Sequence, residues 1–213
     1  MAEMAQVLLA MQESMRSAAS EEQLNQRKAT LFEYLSSKGL VPEDVDGDGN
    51  CLFRGGAKLL FPGISGDEYE AMQAFLRAEV CDWMKENKTI VTPFLPTSGI
   101  DDGGVEIVNG GIGIDEHISQ MEKDGECGDN MEIVAIGARF KRVVIVYENP
   151  WEAPYVFELP RDVVPSGPPL LFARINFNHF VALHPMESEG KRLSLLVCLY
   201  CCAISFLTLL LIC

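Results

Sequence analysis

One short segment organises this sequence, and it reads Asp48-Gly49-Asn50-Cys51-Leu52-Phe53-Arg54. Its cysteine follows a polar turn that contains glycine and precedes an apolar run to Leu60, which predicts a helix. The thiol of Cys51 would therefore lie at a helix N-terminus. The exposed N–H groups and the positive end of the helix dipole favour a thiolate at such a position.

A histidine for this thiol is found far along the chain, in Asn178-His179-Phe180. A thiolate together with a histidine that the fold brings alongside is the minimal set for a cysteine hydrolase. The alternative is that Cys51 is a buried structural thiol, which is the commoner role of cysteine. The polar turn before Cys51 favours the catalytic interpretation.

The composition restricts the partners that this protein could bind. The chain of 213 residues has a formal net charge of −14, and all 31 acidic residues precede residue 193. Such a charge repels nucleic acid and phosphate-rich membrane surfaces, and it favours a partner of basic character. We therefore expect no nucleic-acid partner.

The cysteines indicate a reducing compartment. Before residue 193 there are only three, Cys51, Cys81 and Cys127, and their odd number and wide spacing argue against a disulfide framework. We expect Cys81 and Cys127 to be packing residues in a cytoplasmic protein. Cys198 and Cys201 are spaced like zinc ligands but lack a second pair or a nearby histidine, so we expect no metal and no cofactor.

Residues 193–213 contain neither a charge nor a proline, and Lys191 and Arg192 precede them. A segment of this length can cross a membrane as a hydrophobic C-terminal helix, and flanking cations favour the cytosolic side. The sequence thus predicts a tail anchor on an intracellular membrane, with the preceding domain facing the cytosol. The alternative is an extension that is never inserted.

Three regions follow from these patterns. Residues 1–39 read as a helical extension with apolar positions at helical spacing, ended by Gly39, which either packs on the domain or binds a partner. Residues 40–186 form the central domain, and 187–213 are a linker and the hydrophobic segment. The order within the domain is helices first and strands later, which indicates an α/β or α+β fold.

Within the domain, helices are expected over Cys51–Leu60, over Gly66–Asn87, and in short segments after Asp115 and Gly128. The long helix would bury Met72, Phe75, Leu76, Val80 and Trp83. A turn over Pro42–Asn50 and a loop from Pro93 to Gly113 interrupt the pattern. Strands are expected at the following segments: Val143–Tyr147, Tyr155–Leu159, Leu170–Ile175 and Phe180–Leu183.

The cysteine segment resembles the cysteine box of the ovarian tumour (OTU) family of deubiquitinating proteases. Two further blocks agree in order and spacing. The segment from Cys127 to Ala135 is similar to the family's Trp-Gly-x-x-x-Glu helix, with cysteine in place of tryptophan, and Asn178–Leu183 is similar to its histidine strand. The resemblance covers residues 40–185. It implies a papain-like OTU cysteine protease fold, in which helices flank a small central β-sheet.

The resemblance also implies roles for individual residues. Cys51 would be the nucleophile and His179 the general base, and the aromatic Phe180 favours His179 over the rival His184. The family's third member lies three residues before the cysteine or two after the histidine. Since the second position is Val181, Asp48 is expected to orient the imidazole. Asp46 remains an alternative.

An oxyanion hole would come from backbone N–H groups around Gly49, Asn50 and Cys51. The implied substrates are ubiquitin, polyubiquitin chains and ubiquitinated proteins, cleaved at the isopeptide bond after the C-terminal glycine of ubiquitin. The acidic residues of the following loop could meet the arginines of the ubiquitin tail, or they could be merely solvated: Asp101, Asp102, Glu106, Asp115 and Glu116. His117 is expected to be solvated. The alternative function is a ubiquitin-binding adaptor that keeps the fold without turnover.

Overall fold

The computed structural model describes residues 22–95, 113–161, 163–176 and 179–186, and only the backbone at 99–100 and 106–107. In this part of the chain, no helix is both long and apolar enough to cross a membrane. The predicted anchor over 193–213 and the first half of the predicted N-terminal extension lie outside the described residues. Those two hypotheses stay predictions.

The elements follow the predicted order of helices first and strands later, except that three short strands precede the last two helices. They are α1 (22–37), β1 (Leu40–Glu43), α2 (Cys51–Leu60), α3 (Asp67–Glu86), α4 (Lys88–Val91), a 3-10 turn (Thr92–Phe94), β2 (Gly99–Ile100), β3 (Glu106–Ile107), α5 (Ile114–Met121), α6 (Asn130–Phe140), β4 (Val144–Tyr147), β5 (Tyr155–Phe157), β6 (Leu170–Ile175) and β7 (His179–Pro185).

Five strands form the central sheet in the order β1-β7-β6-β4-β5, while β2 and β3 pair separately. Strands β4 and β6 are parallel, and the other pairs of the central sheet are antiparallel. Strand β1 runs against β7, with Glu43 opposite Ala182. The end of β1 and the start of β7 therefore lie at the same end of the sheet.

Both faces of the sheet are covered, and alternation along the strands explains why. In β6, Phe172 joins the apolar core that contains residues of α2, α3 and α6, while Leu171 and Ala173 join a second core with α1. Successive side chains of a strand point to opposite faces, so two helical layers can each bury one set. Burying a large apolar side chain stabilises the fold by about 1.5–3 kcal/mol.

Helix α2 lies directly on this sheet. A Cβ at Gly55 would be 3.1 Å from Cε1 of Phe172 in β6 and 3.6 Å from the backbone nitrogen of Ala182 in β7. The absence of a side chain at Gly55 allows the helix to approach this closely. The approach brings the N-terminus of α2, and with it Cys51, to the end of the sheet where β7 begins.

The predicted helices over residues 51–60 and 66–87 are confirmed, as are the end of α1 at Gly39, which has a φ of 72°, and the strand Leu170–Ile175. The predicted inner face of α3 is wrong at Phe75, which is 42% exposed, whereas Trp83 is half-buried and packs against the core. The polar Gln73 and Arg77 are buried instead. Part of the predicted turn over 42–50 is strand β1.

Candidate active site

Cys51 is the first residue of α2 and is only 2% exposed. Gly49 shapes the turn that leads into it, with a φ of +86°. A Cβ at Gly49 would lie 1.7 Å from the carbonyl oxygen of Gly125, so a side chain cannot be accommodated there. The turn before the cysteine is thus pressed against the loop that connects α5 and α6.

The side chain of Asn50 joins the same two segments. Its Oδ1 atom accepts hydrogen bonds from Arg77 Nη2 at 2.6 Å, from Gln73 Nε2 at 2.9 Å and from the backbone nitrogen of Gly125 at 3.1 Å. Asn50 is 3% exposed, so these donors compensate for the loss of water around its amide. The residue before the nucleophile is thereby held from three directions.

Arg77 is buried although no carboxylate forms a salt bridge with it among the described residues. Its guanidinium donates to the backbone carbonyls of Met121 (2.9 Å), Glu126 (2.9 Å) and Gly49 (3.3 Å), and it lies 4.1 Å from the ring centre of Phe53. Burial lowers the pKa of Arg77 from its ordinary value. The pattern of α3 does not reveal this residue, because a lone arginine in an amphipathic helix usually faces solvent.

His179 is the first residue of β7, and its neighbour Phe180 donates a backbone hydrogen bond to Cys51 Sγ at 3.4 Å. The imidazole Nε2 atom donates to Oδ1 of Asp44 at 2.7 Å. Asp44 occupies Nε2, which leaves the buried Nδ1 as the nitrogen for the interaction of His179 with the side chain of Cys51. The structure therefore brings together the predicted nucleophile and the predicted base.

The environment of His179 favours its charged form. Hydrogen bonding with the side chain of Cys51 makes the largest contribution and raises the pKa of His179; Asp44 also raises it, against the opposing effect of burial. An imidazole that gains a proton easily beside a thiol is suited to general base catalysis.

The carboxylate that meets the imidazole belongs to Asp44, and this corrects the expected contact from Asp48. Asp44 directly follows β1, and the β1–β7 pairing carries it to His179. Its Oδ1 atom also accepts from the backbone nitrogen of Val45 at 3.0 Å, while Oδ2 forms an ion pair with Lys28 of α1. Burial opposes ionisation of Asp44, but the hydrogen bonds from Lys28 and His179 outweigh it and lower its pKa.

Asp48 instead stabilises the turn before Cys51. Its Oδ1 atom accepts from the backbone nitrogen of Asn50 at 3.1 Å and from Arg54 Nη1 at 2.5 Å, and Arg54 lowers the pKa of Asp48. The alternative acid, Asp46, is exposed, and in the described part of the chain no hydrogen bond joins it to His179.

Two of the residues predicted for the oxyanion hole, Gly49 and Asn50, make backbone hydrogen bonds within the protein. The amide of Asn50 already donates to Asp48, and the carbonyl of Gly49 accepts from Arg77. The assignment of Gly49, Asn50 and Cys51 stays a prediction. Asp101 and Asp102 lie outside the described residues, and for Glu106 the backbone alone is described. No group of three or more candidate metal ligands occurs in the described part.

The other two histidines also pair with carboxylates. His184 Nε2 lies 2.8 Å from Oε2 of Glu43, at the far end of β7 from Cys51. His117 Nε2 lies 2.7 Å from Oε1 of Glu132, which is fully buried, so the expectation of a solvated His117 is wrong. The hydrogen bond with Glu132 raises the pKa of His117, against the effect of burial.

The other two cysteines in the described residues, Cys81 and Cys127, lack an activating environment. Burial raises the pKa of Cys81 to about 11, which keeps this thiol protonated near neutral pH. Burial, and then the neighbouring Cys51, raise the pKa of Cys127 as well. Its position near a helix N-terminus therefore does not activate Cys127.

This chain is similar to several known proteins. The model of the family described as OTU-like cysteine protease matches residues 46–158, a range that includes Cys51 but neither Asp44 nor His179. The protein named "Putative ubiquitin thioesterase 232R" from Invertebrate iridescent virus 3 is 25% identical over 164 residues, which are 76% of this chain and 18% of that protein. The OVARIAN TUMOR DOMAIN-containing deubiquitinating enzyme 9 of Arabidopsis thaliana is 24% identical over 144 residues, 67% of this chain and 35% of that protein.

This chain therefore spans about a fifth and about a third of the length of these two relatives. The solved structure of the OTU domain of OTUD1 aligns with a TM-score of 0.56 at 17% identity, and the alignment covers 77% of this chain and 99% of that domain. The expected fold class is confirmed: helices flank a central sheet, as in an OTU domain.

Proposed function

This chain belongs to the family of OTU-like cysteine proteases, and from that membership we propose that it is a deubiquitinase that hydrolyses the isopeptide bond at the C-terminal glycine of ubiquitin. Its proposed catalytic residues are Cys51 as nucleophile, His179 as general base and Asp44 as the acid that orients the imidazole. Asp44 replaces Asp48 in this role because Asp44, and not Asp48, accepts the hydrogen bond from His179. The names of the relatives support the substrate class.

The observation that carries the proposal is the continuous set of contacts from Cys51 through His179 to Asp44. A thiol, an imidazole and a carboxylate in this order form the arrangement that activates a nucleophile for acyl transfer. With Asp44 holding Nε2–H, the neutral imidazole presents the lone pair of Nδ1 to the cysteine.

In the first half of the reaction, Nδ1 of His179 takes the thiol proton, and Sγ of Cys51 attacks the carbonyl carbon of the isopeptide bond. The C–N bond of the tetrahedral intermediate then breaks, and the imidazolium gives its proton to the departing lysine amine. A thioester between Cys51 and ubiquitin remains. Asp44 stabilises the imidazolium that exists between these two proton transfers.

In the second half, water attacks the thioester and His179 takes a proton from it. The C–S bond breaks, the sulfur regains a proton, and ubiquitin leaves with a free C-terminal carboxylate. The turn around Gly49 and Asn50 lies at the start of α2, where backbone donors and the helix dipole favour the negative oxygen of each tetrahedral intermediate.

The proposal is tested with ubiquitin that carries an electrophile at its C-terminus. We expect wild-type protein to form a covalent adduct at Cys51, the Cys51→Ser variant to form none, and the matched Cys81→Ser variant to react like wild type. Peptide mapping locates the adduct, and cleavage of di-ubiquitin measures turnover. A wild-type protein that binds ubiquitin but is neither labelled nor active would support the adaptor instead.

A further inference from the structure

The two oxygens of Asp44 have different partners. Oδ1 faces the imidazole of His179 and the backbone nitrogen of Val45, and Oδ2 faces the ammonium group of Lys28. A carboxylate with a cation on one oxygen keeps the other oxygen directed at its second partner. Lys28 thus completes a line of contacts that runs from α1 through Asp44 and His179 to Cys51.

The position of Lys28 follows from the packing of α1. Leu31 and Leu35 of this helix are 3% and 0% exposed, and they join the core that contains Leu171 and Val181 of the sheet. Positions 28, 31 and 35 have the spacing of one helical face. When the leucines bury themselves against the sheet, the same helix face carries Lys28 to the end of β1, where Asp44 lies.

Both Lys28 and Asp44 precede residue 46, where the match to the family model begins. The carboxylate partner of His179 and the cation that holds it are therefore supplied by the segment before the matched part of the domain. Helix α1, residues 22–37, packs on the second face of the sheet through Leu31 and Leu35.

We propose that Lys28 is a positioning residue of the active site and that helix α1 is part of the catalytic apparatus. Lys28 acts on the reaction only through Asp44. By binding Oδ2 of Asp44, it keeps Oδ1 hydrogen-bonded to the imidazole of His179. The substrate in this proposal rests on the proposed function, whereas the coupling between Lys28 and His179 does not.

The size of the effect follows from the exposure of the pair. The side chains of Lys28 and Asp44 are 35% and 40% exposed, so water screens their attraction. Ion pairs of this kind contribute modestly, and we expect loss of the cation to lower kcat/KM by about two- to fivefold. Arg at this position keeps the charge, so Lys28→Arg should restore most of the activity.

A double-mutant cycle separates this role from a general effect on the fold. Lys28→Met keeps the apolar stem and removes the charge, and Arg27→Met makes the same change at an exposed neighbour for which the described residues give no ion pair. With a ubiquitin C-terminal fluorogenic substrate, we expect a loss for Lys28→Met in the wild-type background, none in the Asp44→Asn background, and none for Arg27→Met. Equal losses in both backgrounds would overturn the proposal.

A second measurement needs no substrate. The chain has three histidines, so their titrations can be followed by NMR and assigned with single His→Gln variants. The groups that raise the pKa of His179 are Cys51 and Asp44, and Lys28 reaches it only through Asp44. We expect the pKa of His179 to fall in Asp44→Asn, to fall partway in Lys28→Met because the Asp44 contact loosens, and to return in Lys28→Arg. Loss of the Lys28 charge alone would raise the pKa of His179, so a rise in Lys28→Met would overturn the proposal.

An unchanged pKa of His179 in Lys28→Met, in a protein whose thermal unfolding is unaltered, would overturn the proposal. The two proposals fail separately. Loss of ubiquitin labelling together with the expected shifts in His179 would refute the deubiquitinase function and support the coupling. Normal ubiquitin cleavage with no coupling between positions 28 and 44 would do the reverse.

Discussion

Two histidine–carboxylate pairs in this protein share their geometry and differ in their surroundings. His179 meets Asp44 at the end of the sheet, and His117 meets Glu132 between α5 and α6, each with a nitrogen–oxygen distance of 2.7 Å. The partner raises the pKa of the imidazole in both. The contact alone therefore does not identify a catalytic histidine.

The difference lies in what else each pair touches. His179 also interacts with the side chain of Cys51, and the carboxylate of Asp44 is 40% exposed. Glu132 is fully buried, and its Oε2 atom also accepts from the backbone nitrogen of Asp129 at 2.7 Å, as part of a capping box at the start of α6. The first pair can take a proton from a thiol, whereas the second stabilises the junction of two helices.

Replacement of His179 should have the largest effect on activity and separate the two pairs most clearly. His179→Gln removes the general base, and we expect kcat to fall by about 10²–10⁴-fold. Hydrolysis of a fluorogenic ubiquitin substrate measures this loss. The matched His117→Gln variant should keep most of its activity. An equally large loss in a folded His117→Gln protein would remove the distinction.

The next largest effect should come from the acid. Asp44→Asn removes the charge that orients His179 and stabilises its imidazolium, and we expect kcat/KM to fall by on the order of 100-fold. Asp48→Asn keeps an oxygen for the amide of Asn50 and loses the charge of a half-exposed carboxylate paired with Arg54, which Glu70 still neutralises. We therefore expect a change within about fivefold. The reverse ranking of these two variants would restore Asp48 to the catalytic role.

Removal of His117 should instead appear in stability. His117→Ala leaves the buried Glu132 without its charged partner, and we expect the free energy of unfolding at pH 6 to fall by about 1.5–3 kcal/mol. Because the folded protein holds the pKa of His117 above 6.5, this stabilisation is fully present below that pH. It is lost as the pH rises through the folded-state pKa. Urea unfolding of both proteins across this range measures it, and a difference that grows with pH would contradict this assignment.

The smallest effect is expected at the third pair. His184 and Glu43 form a partly exposed contact far along β7 from the nucleophile, with side chains 37% and 45% exposed. We expect His184→Gln to change the free energy of unfolding by less than about 1 kcal/mol and to leave kcat near the wild-type value. Chemical denaturation and the ubiquitin cleavage assay check this. A large loss of activity would show that His184, the alternative candidate for the base, has a role in the site.

The sequence predicted the nucleophile, the base and most elements because these features have strong local signals. Cys51 lies in a distinctive turn, and the β-branched and aromatic runs mark the strands. Asp44 has no such signal, because its role depends on the pairing of β1 with β7. Strand β1 itself is short, contains Pro42 and has two exposed residues among four, so the pattern favoured a turn.

The buried polar residues of α3 were missed for a different reason. Periodicity assigns apolar residues to the inner face of a helix, so the prediction placed Phe75 there although its side chain is 42% exposed. The true inner face includes Gln73 and Arg77, whose partners come from the cysteine turn and from the loop after α5. Those partners are distant in sequence, and only the folded chain brings them to the helix.

The three donors around Asn50 Oδ1 carry one more implication. A carboxylate would have nearly the same shape as this amide, and it would attract the guanidinium of Arg77 more strongly. It would also place a negative charge immediately beside the reacting sulfur and cancel the cation beneath the turn. The uncharged amide of Asn50 holds the cysteine turn in place and leaves the local electrostatic potential positive. A positive potential is what a developing anion requires.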